Sequence, residues 1–135
     1  MEEMTGGCLC GAVRYRLSEK PVRTLLCHCR NCQKTSGSAL STIALVQRSA
    51  LAITGTLKGY EYAGDSGNKL EINFCPTCGS PVILNIRAMP DLVSVKVGSL
   101  DDPGWFRPEM QIWTDSAQAW FPLVDDCTRF PKSPR

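Results

Sequence analysis

The stretch Cys75-Pro76-Thr77-Cys78-Gly79 places two cysteines three positions apart, ahead of a glycine. In a tight turn this spacing presents two thiolates to one metal ion, and Gly79 relieves the backbone just after the second sulfur, as in a structural zinc knuckle. A structural zinc takes four ligands, so such a turn supplies only half of them. The other ligands have to come from cysteines elsewhere in the chain.

Two further cysteine clusters lie upstream, Cys8-Leu9-Cys10 and Cys27-His28-Cys29-Arg30-Asn31-Cys32, and Cys127 stands alone downstream. Residues two apart on a strand point to the same face, so the Cys-x-Cys pairs can each chelate one ion from a β segment, while His28 points away. Seven clustered cysteines divide as four plus three. This division predicts two zinc ions, one in a closed site and one with a position left for water or substrate.

The spacing permits two ways of assigning these ligands. In the first, one site is formed by Cys8, Cys10, Cys75 and Cys78, and the other by Cys27, Cys29 and Cys32. In the second, one site is formed by Cys29, Cys32, Cys75 and Cys78, and the remaining cysteines are left over. The first is simpler because each local cluster stays whole, and it leaves an incomplete shell at the second site.

Several residues near these clusters have more than one interpretation. The three-cysteine site could be closed by Cys127 or by a carboxylate, or its thiols could stay reduced and bind no metal. Cys127 could also be a buried thiol without a ligand role. His28 is either a hydrogen-bonding partner of the metal ligands or an imidazole satisfied elsewhere. Trp105, Trp113 and Trp120 either pack against the sheet or form a wall of a ligand pocket.

Length and composition indicate one domain in a reducing compartment. The chain has 135 residues, eight of them cysteine, and 43% of its residues are hydrophobic, which suffices for one core. It has no apolar run long enough to span a membrane, and its acidic start, Met1-Glu2-Glu3-Met4, differs from a signal peptide. We therefore expect a cytoplasmic protein without membrane contact. In a secreted chain the cysteines could instead form four disulfides.

The charge pattern argues against a nucleic-acid partner. The formal net charge is +2, and seven thiolates with two Zn²⁺ would bring it to about −1. The basic residues of the first half are spread among polar and apolar neighbours instead of forming a patch: Arg14, Arg16, Lys20, Arg23, Arg30, Lys34 and Arg48.

Alternating apolar residues predict a mainly β protein with antiparallel sheets. Helix signals are nearly absent, apart from one turn expected over Asp101–Trp105 with Asp101 as its cap. The predicted strands are Val13–Leu17, a piece at Leu25-Leu26, Thr42–Val46, Leu51–Thr54, Leu57–Tyr62, Leu70–Phe74, Pro81–Ile86, Leu92–Val97 and Met110–Trp113. Residues 63–68 join two of them as a hairpin loop. We expect one domain over 1–125 and a loose tail over 126–135.

With these clusters in place, the chain resembles the glutathione-dependent formaldehyde-activating enzyme family, which shares its domain with centromere protein V. The resemblance rests on Gly6-Gly7-Cys8-Leu9-Cys10-Gly11, Cys27–Cys32, Ser36-Gly37-Ser38, Phe74–Ser80, Leu100-Asp101-Asp102-Pro103 and the Trp120 region. It implies a β-tent of stacked antiparallel sheets pinned by zinc. It also implies that Cys8, Cys10, Cys75 and Cys78 hold a structural zinc, and that Cys27, Cys29 and Cys32 hold a catalytic one.

The family reaction joins formaldehyde to glutathione, giving S-hydroxymethylglutathione, and is formally a carbon–sulfur lyase reaction run in reverse. Glutathione, or another small thiol–aldehyde adduct, is therefore the expected partner. Its carboxylates could bind Arg30 and Lys34 beside the open site, although both could be solvated surface charges, and the backbone NH groups of Ser36-Gly37-Ser38 are further candidates. Two positions depart from the family pattern: Gln111 lies where members often have a histidine in the 108–113 segment, and Asn73 where they often have an arginine before the Phe-Cys.

Two alternatives come from other functional classes. One is a zinc-stabilised binding or scaffold module without catalysis. The other is a methionine sulfoxide reductase with Cys127 as nucleophile, although zinc sites of that class usually use two Cys-x-x-Cys pairs, whereas the first pair here is Cys8-x-Cys10.

Overall fold

Two β-sheets make up most of the regular structure in the computed structural model, which describes residues 3–134. The strands in chain order are β1 (Met4–Gly7), β2 (Arg14–Leu17), β3 (Arg23–Cys27), β4 (Ser41–Gln47), β5 (Leu51–Thr54), β6 (Lys58–Ala63), β7 (Lys69–Phe74), β8 (Pro81–Ile86), β9 (Leu92–Lys96), β10 (Met110–Ile112) and β11 (Thr128–Arg129). One α-helix, α1 (Arg30–Ser36), lies between β3 and β4 in the described residues. The prediction of a mainly β protein is confirmed. Within residues 3–134 no helix has the length and apolar character needed to cross a membrane.

The strands divide into a small sheet of three and a large sheet of eight. The small sheet has the order β1-β2-β5, and the large sheet has the order β11-β10-β3-β4-β9-β8-β7-β6. Neighbouring strands are antiparallel, except that β10 runs parallel to both β3 and β11. The antiparallel prediction therefore holds everywhere but at one edge of the large sheet, which the chain reaches through a long connection from β9.

Alternation of side chains explains why the small sheet packs on the large one. Tyr15 and Leu17 on β2, and Val13 just before it, are buried, whereas Arg14 and Arg16 between them are exposed. The three apolar side chains join the main core, which confirms the strand predicted here. The sequence did not predict β1, because Gly6 and Gly7 disfavour strands. A Cβ at Gly6 would collide with the Tyr15 ring and the Ser99 carbonyl.

The large sheet is covered on both faces, as β4 shows. Ala44 and Val46 belong to the main core beneath the small sheet, whereas Ile43 and Leu45 contact a second cluster on the opposite face. This second cluster contains Cys27. The large sheet therefore separates the main core from the face that carries one of the cysteine groups.

The prediction that helices are nearly absent missed α1. The thiol of Cys29 caps its start by accepting a hydrogen bond from the backbone NH of Cys32 at 3.3 Å. Gly37 ends the helix with φ +61°, a conformation that favours glycine, and its NH bonds the Gln33 carbonyl. Cysteine is not one of the usual capping residues, so the start of α1 carried no ordinary sequence signal.

The helical turn predicted over Asp101–Trp105 is wrong. A turn closed by the Phe106 NH and the Pro103 carbonyl at 3.1 Å lies there instead. Asp102 accepts a bond from the Gly104 NH, while the Asp101 carboxylate binds Arg14 and Thr5. Asp101 therefore links this turn to the small sheet and caps no helix.

The C-terminal tail, expected to be loose, is docked against the large sheet. β11 pairs with β10, and the Phe130 NH bonds the Gln111 carbonyl at 2.9 Å. The Trp113 NH bonds the Lys132 carbonyl at 3.0 Å. Backbone hydrogen bonds hold this segment, so its polar, proline-rich composition gave no indication that it is ordered.

Candidate metal centres

Four thiols from distant parts of the chain form the first candidate metal centre. Cys8 and Cys10 come from the loop after β1, and Cys75 and Cys78 from the turn between β7 and β8. All four sulfur atoms lie within 4.8 Å of one another, with 3.6 Å between Cys8 and Cys10 and 3.8 Å between Cys10 and Cys75. Four sulfurs at about 2.3 Å from a tetrahedral zinc are about 3.8 Å apart, so the spacing fits such an ion.

The backbone around this centre favours thiolates. The Val13 NH donates to the Cys8 sulfur at 3.3 Å. The Ser80 hydroxyl and backbone NH, followed by the Cys10 NH, lower the pKa of Cys78 to about 5. Gly79 has φ +79°, which supports the role predicted for it after the second sulfur. The expectation that Cys8 and Cys10 chelate from a β segment is wrong, because both lie in a turn.

Three thiols on the opposite face of the large sheet form the second candidate centre. Cys27 ends β3, Cys29 caps α1, and Cys32 lies in the first turn of α1. Their sulfur atoms lie within 4.8 Å of one another, and among residues 3–134 no histidine, carboxylate or further cysteine joins the group. Hydrogen bonds from Cys27 and then Cys32 lower the pKa of Cys29 to about 3. Hydrogen bonds to Cys29 and then Cys32, followed by burial, raise the pKa of Cys27.

The geometry thus groups the seven cysteines as four and three, the first of the two divisions that the spacing permits. The eight cysteines form no disulfide. A soft divalent ion such as zinc suits both thiol sets, since the first offers four ligands and the second three with one position free.

A buried cation lies close to the three-thiol centre. Lys96 on β9 is 8% exposed and donates to the Ser41 hydroxyl at 2.7 Å, and Ser41 is the strand partner of Cys27. Burial lowers the pKa of Lys96, while the charges of Cys32 and the other two thiolates oppose that shift. A cation here would offset the negative charge of these thiols when they are deprotonated. Sequence reasoning missed Lys96, because nothing local distinguishes it from a surface lysine.

Two cavities adjoin the thiol groups. A cavity of about 400 Å³ is lined by the three thiols together with mostly apolar side chains of the large sheet. A more polar cavity of about 780 Å³ is lined by Cys8, Cys10, Arg14 and Lys96, and by Ser36 and Ser38, two of the residues expected to contact glutathione. The three-thiol centre therefore opens on the apolar cavity, and the serines border the polar one.

The other predicted contacts lie at the surface. Arg30 and Lys34 are exposed on α1, and neither lines the two cavities. The Arg30 guanidinium bonds the Gln33 side chain. Arg23 and Asn31, which were not predicted as contacts, line the apolar cavity instead.

His28 makes its hydrogen bond away from the three-thiol group, one of the two interpretations left open. Its Nε2 lies 2.9 Å from the Gln111 Oε1, with both residues buried. The Gln111 amide donates to the Val124 carbonyl at 2.8 Å and to the Cys127 sulfur at 3.3 Å. Because Gln111 accepts from His28, the imidazole carries its proton on Nε2. Cys127 is thus outside the three-thiol group and beside this chain of hydrogen bonds.

The three tryptophans differ in surroundings. Trp105 packs against the main core, Trp113 contacts the second cluster and lines the apolar cavity, and Trp120 is 70% exposed. The core-packing interpretation is therefore correct for Trp105, and the pocket-wall interpretation is correct for Trp113.

Comparison with known proteins agrees with the fold and the thiol pattern. A family profile described as glutathione-dependent formaldehyde-activating enzyme matches residues 3–116. No curated protein matches the chain. A crystal structure of a Rhodobacter sphaeroides protein superimposes with a TM-score of 0.57 and 24% identity, covering 78% of this chain and 92% of that one. This likeness is one of fold. The profile spans most of the described residues and all seven clustered cysteines, and the chain belongs to the glutathione-dependent formaldehyde-activating enzyme family.

Proposed function

We propose that this protein is a zinc-dependent carbon–sulfur lyase-type enzyme acting on glutathione adducts, of the kind that interconverts glutathione plus formaldehyde with S-hydroxymethylglutathione. The observation that carries the proposal is the three-thiol group of Cys27, Cys29 and Cys32, which has no fourth protein ligand among the described residues and lines a cavity. The family name supplies the two substrates.

The chain's own residues account for capture and orientation. Zinc held by three thiolates would offer one free position at which the substrate sulfur binds as a thiolate. Cys29 is fixed for this task by the α1 backbone, and Lys96 with Ser41 offsets negative charge beside it. Bond formation joins sulfur to the carbonyl carbon, and the carbonyl oxygen takes up the proton that the thiol released. Since this step needs no oxidant, the protein has only to bring the reactants together.

We assign the four-thiol group to a structural zinc. It connects the loop after β1 in the small sheet with the β7–β8 turn in the large sheet. In this proposal the two sheets are the family's β-tent, pinned by the metal. The seven grouped thiols need a reducing compartment to stay available, so we propose a cytoplasmic location.

Metal analysis and cobalt substitution test the proposal. We expect about two zinc ions per chain, the second released more readily by a chelator. In the cobalt-loaded protein, saturating glutathione should shift the thiolate-to-metal bands, since a fourth sulfur replaces water. A Cys32→Ser variant is the control that should lose this shift. Two zincs with bands unchanged by glutathione would favour the scaffold alternative.

The exposed cations of α1 are the proposed contacts for glutathione's carboxylates. Arg30→Ala and Lys34→Ala should each raise the glutathione concentration for half-saturation about three- to tenfold, as expected for a charge-assisted bond. The matched control is Lys20→Ala, an exposed lysine outside α1. An unchanged half-saturation concentration for both α1 variants would show that these side chains do not contact glutathione.

A further inference from the structure

The apolar cavity is far larger than formaldehyde requires. Its volume of about 400 Å³ lies in the range of small-molecule sites, whereas formaldehyde has a single carbon. Its wall is formed largely by hydrocarbon side chains of the large sheet, among them Leu25, Ile43, Leu45, Leu70, Leu84 and Ile86. Such a wall binds a hydrocarbon group by removing it from water.

One polar group in this wall has no partner. Ser94 on β9 is fully buried and lines the cavity, and its hydroxyl makes no hydrogen bond to the described residues. Its strand neighbours are Leu45 and Leu84, which line the same cavity. Because Leu45 lies four residues along β4 from Ser41, the partner of Cys27, Ser94 and its neighbours form the end of the wall away from the three thiols.

The charges around the cavity do not favour an anionic group inside it. Arg23 is the one cation that lines it among residues 3–134, and this side chain is paired with Glu109 at 3.4 Å. Asp65, from the β6–β7 loop, also lines it and would repel a carboxylate. The cavity therefore suits an uncharged apolar body.

We propose that the aldehyde handled by this protein carries a hydrocarbon group, such as a hexyl-length chain or a phenyl ring, which the apolar cavity holds. The inference rests on the proposed thiol–aldehyde reaction and names its carbonyl substrate. The sulfur–carbon bond forms as the carbonyl π electrons move to oxygen. That oxygen becomes a hydroxyl with the thiol's proton.

Binding of inert adduct analogues tests the hydrocarbon site without turnover. By calorimetry on the zinc-loaded protein, S-hexylglutathione should bind at least tenfold more tightly than S-methylglutathione, because its longer chain buries more apolar surface. Leu45→Gln should reduce the ratio to below threefold. Leu51→Gln is the matched control, since Leu51 is likewise half-buried on a strand but lies in the small sheet.

Equal binding of the two thioethers by the unaltered protein overturns the inference, whatever the metal spectra show. Failure of the proposed function would appear separately, as cobalt bands that glutathione does not move.

Discussion

Lys96 is a buried cation beside the three-thiol group, the second candidate metal centre. Its ammonium group is held by Ser41 on the face that carries Cys27, Cys29 and Cys32. A buried lysine is normally costly because its charge leaves water. Deprotonated thiols beside it would offset part of that cost, and the cation in turn favours the deprotonated form of the thiols.

Replacing this lysine should make metal release easier in acid. In Lys96→Met the thiolates lose a neighbouring positive charge, so protons compete with zinc for the sulfurs at a higher pH. We expect zinc at the three-thiol site to bind about tenfold more weakly near neutrality, about 1.4 kcal/mol. A chromogenic chelator followed across a pH series measures the release. Lys58→Met, at an exposed lysine of β6, should leave the pH dependence of zinc release unchanged. The same pH dependence in both variants would contradict the role of Lys96.

Gln111 joins the imidazole of His28 to the C-terminal segment. Gln111→Leu keeps the side-chain volume but leaves the His28 NH and the Val124 carbonyl without their partner. An unpaired buried polar group costs about 1–3 kcal/mol, and the carbonyl of the exposed Val124 can regain a water partner, so we expect a loss of about 2 kcal/mol in the free energy of unfolding. Denaturant titration of the zinc-loaded protein measures it. Gln47→Leu, at an exposed position, is the control, and equal stabilities for the two variants would show that this network contributes nothing.

Residue identity predicted the thiol groups but not these polar partners. Cysteine spacing is local, and thiolates have few other uses in such clusters, so Cys75-x-x-Cys78 could be recognised directly. Lys96 and Gln111 acquire their roles only from strands that are distant in sequence. Their residue types are common at surfaces, and nothing nearby marks them as buried.

At the level of elements, the hairpin of β6 and β7 was predictable and the helix was not. The loop between these strands contains Gly67 at φ +87°, and the Gly64 NH bonds the Asn68 carbonyl at 2.8 Å. Glycine at a turn is a strong local signal. By contrast, α1 is only seven residues long and is capped by a cysteine, so neither length nor cap chemistry distinguished it.

The docked tail should contribute measurably to stability. Truncation after Cys127 removes β11 and the backbone bonds that Phe130 and Lys132 make to the β10 region. Each such bond contributes about 1 kcal/mol, and some regain water partners, so a total loss of about 2 kcal/mol is expected. Thermal unfolding and proteolysis rates of the zinc-loaded chain measure it. Truncation after Lys132 keeps these bonds and should behave like the full chain; if the longer deletion does so too, the docking is energetically neutral.

In the whole molecule, the large sheet separates two structural regions. The small sheet and main core cover one face. The second cluster, the three thiols and the apolar cavity occupy the other. Strand alternation indicated buried faces but could not give the order of strands, because pairing of β10 with β3 joins segments far apart in sequence. Long-range pairing of this kind is decided by the assembled core, not by local preference.

The proposed metal ligands on the two faces should therefore respond differently to the same substitution. Cys75 and Cys32 are both buried thiols, and serine is a close match in size. Zinc binding contributes about 10–16 kcal/mol in structural sites, which equals or exceeds the roughly 5–15 kcal/mol by which domains are stable. Cys75→Ser removes a ligand that connects the two sheets, so we expect a largely unfolded chain by circular dichroism. Cys32→Ser removes a ligand from one face of a sheet that its neighbours still hold, so that variant should remain folded with about one zinc per chain. The opposite pattern, with Cys32→Ser unfolded and Cys75→Ser intact, would exchange the structural and catalytic roles of the two centres.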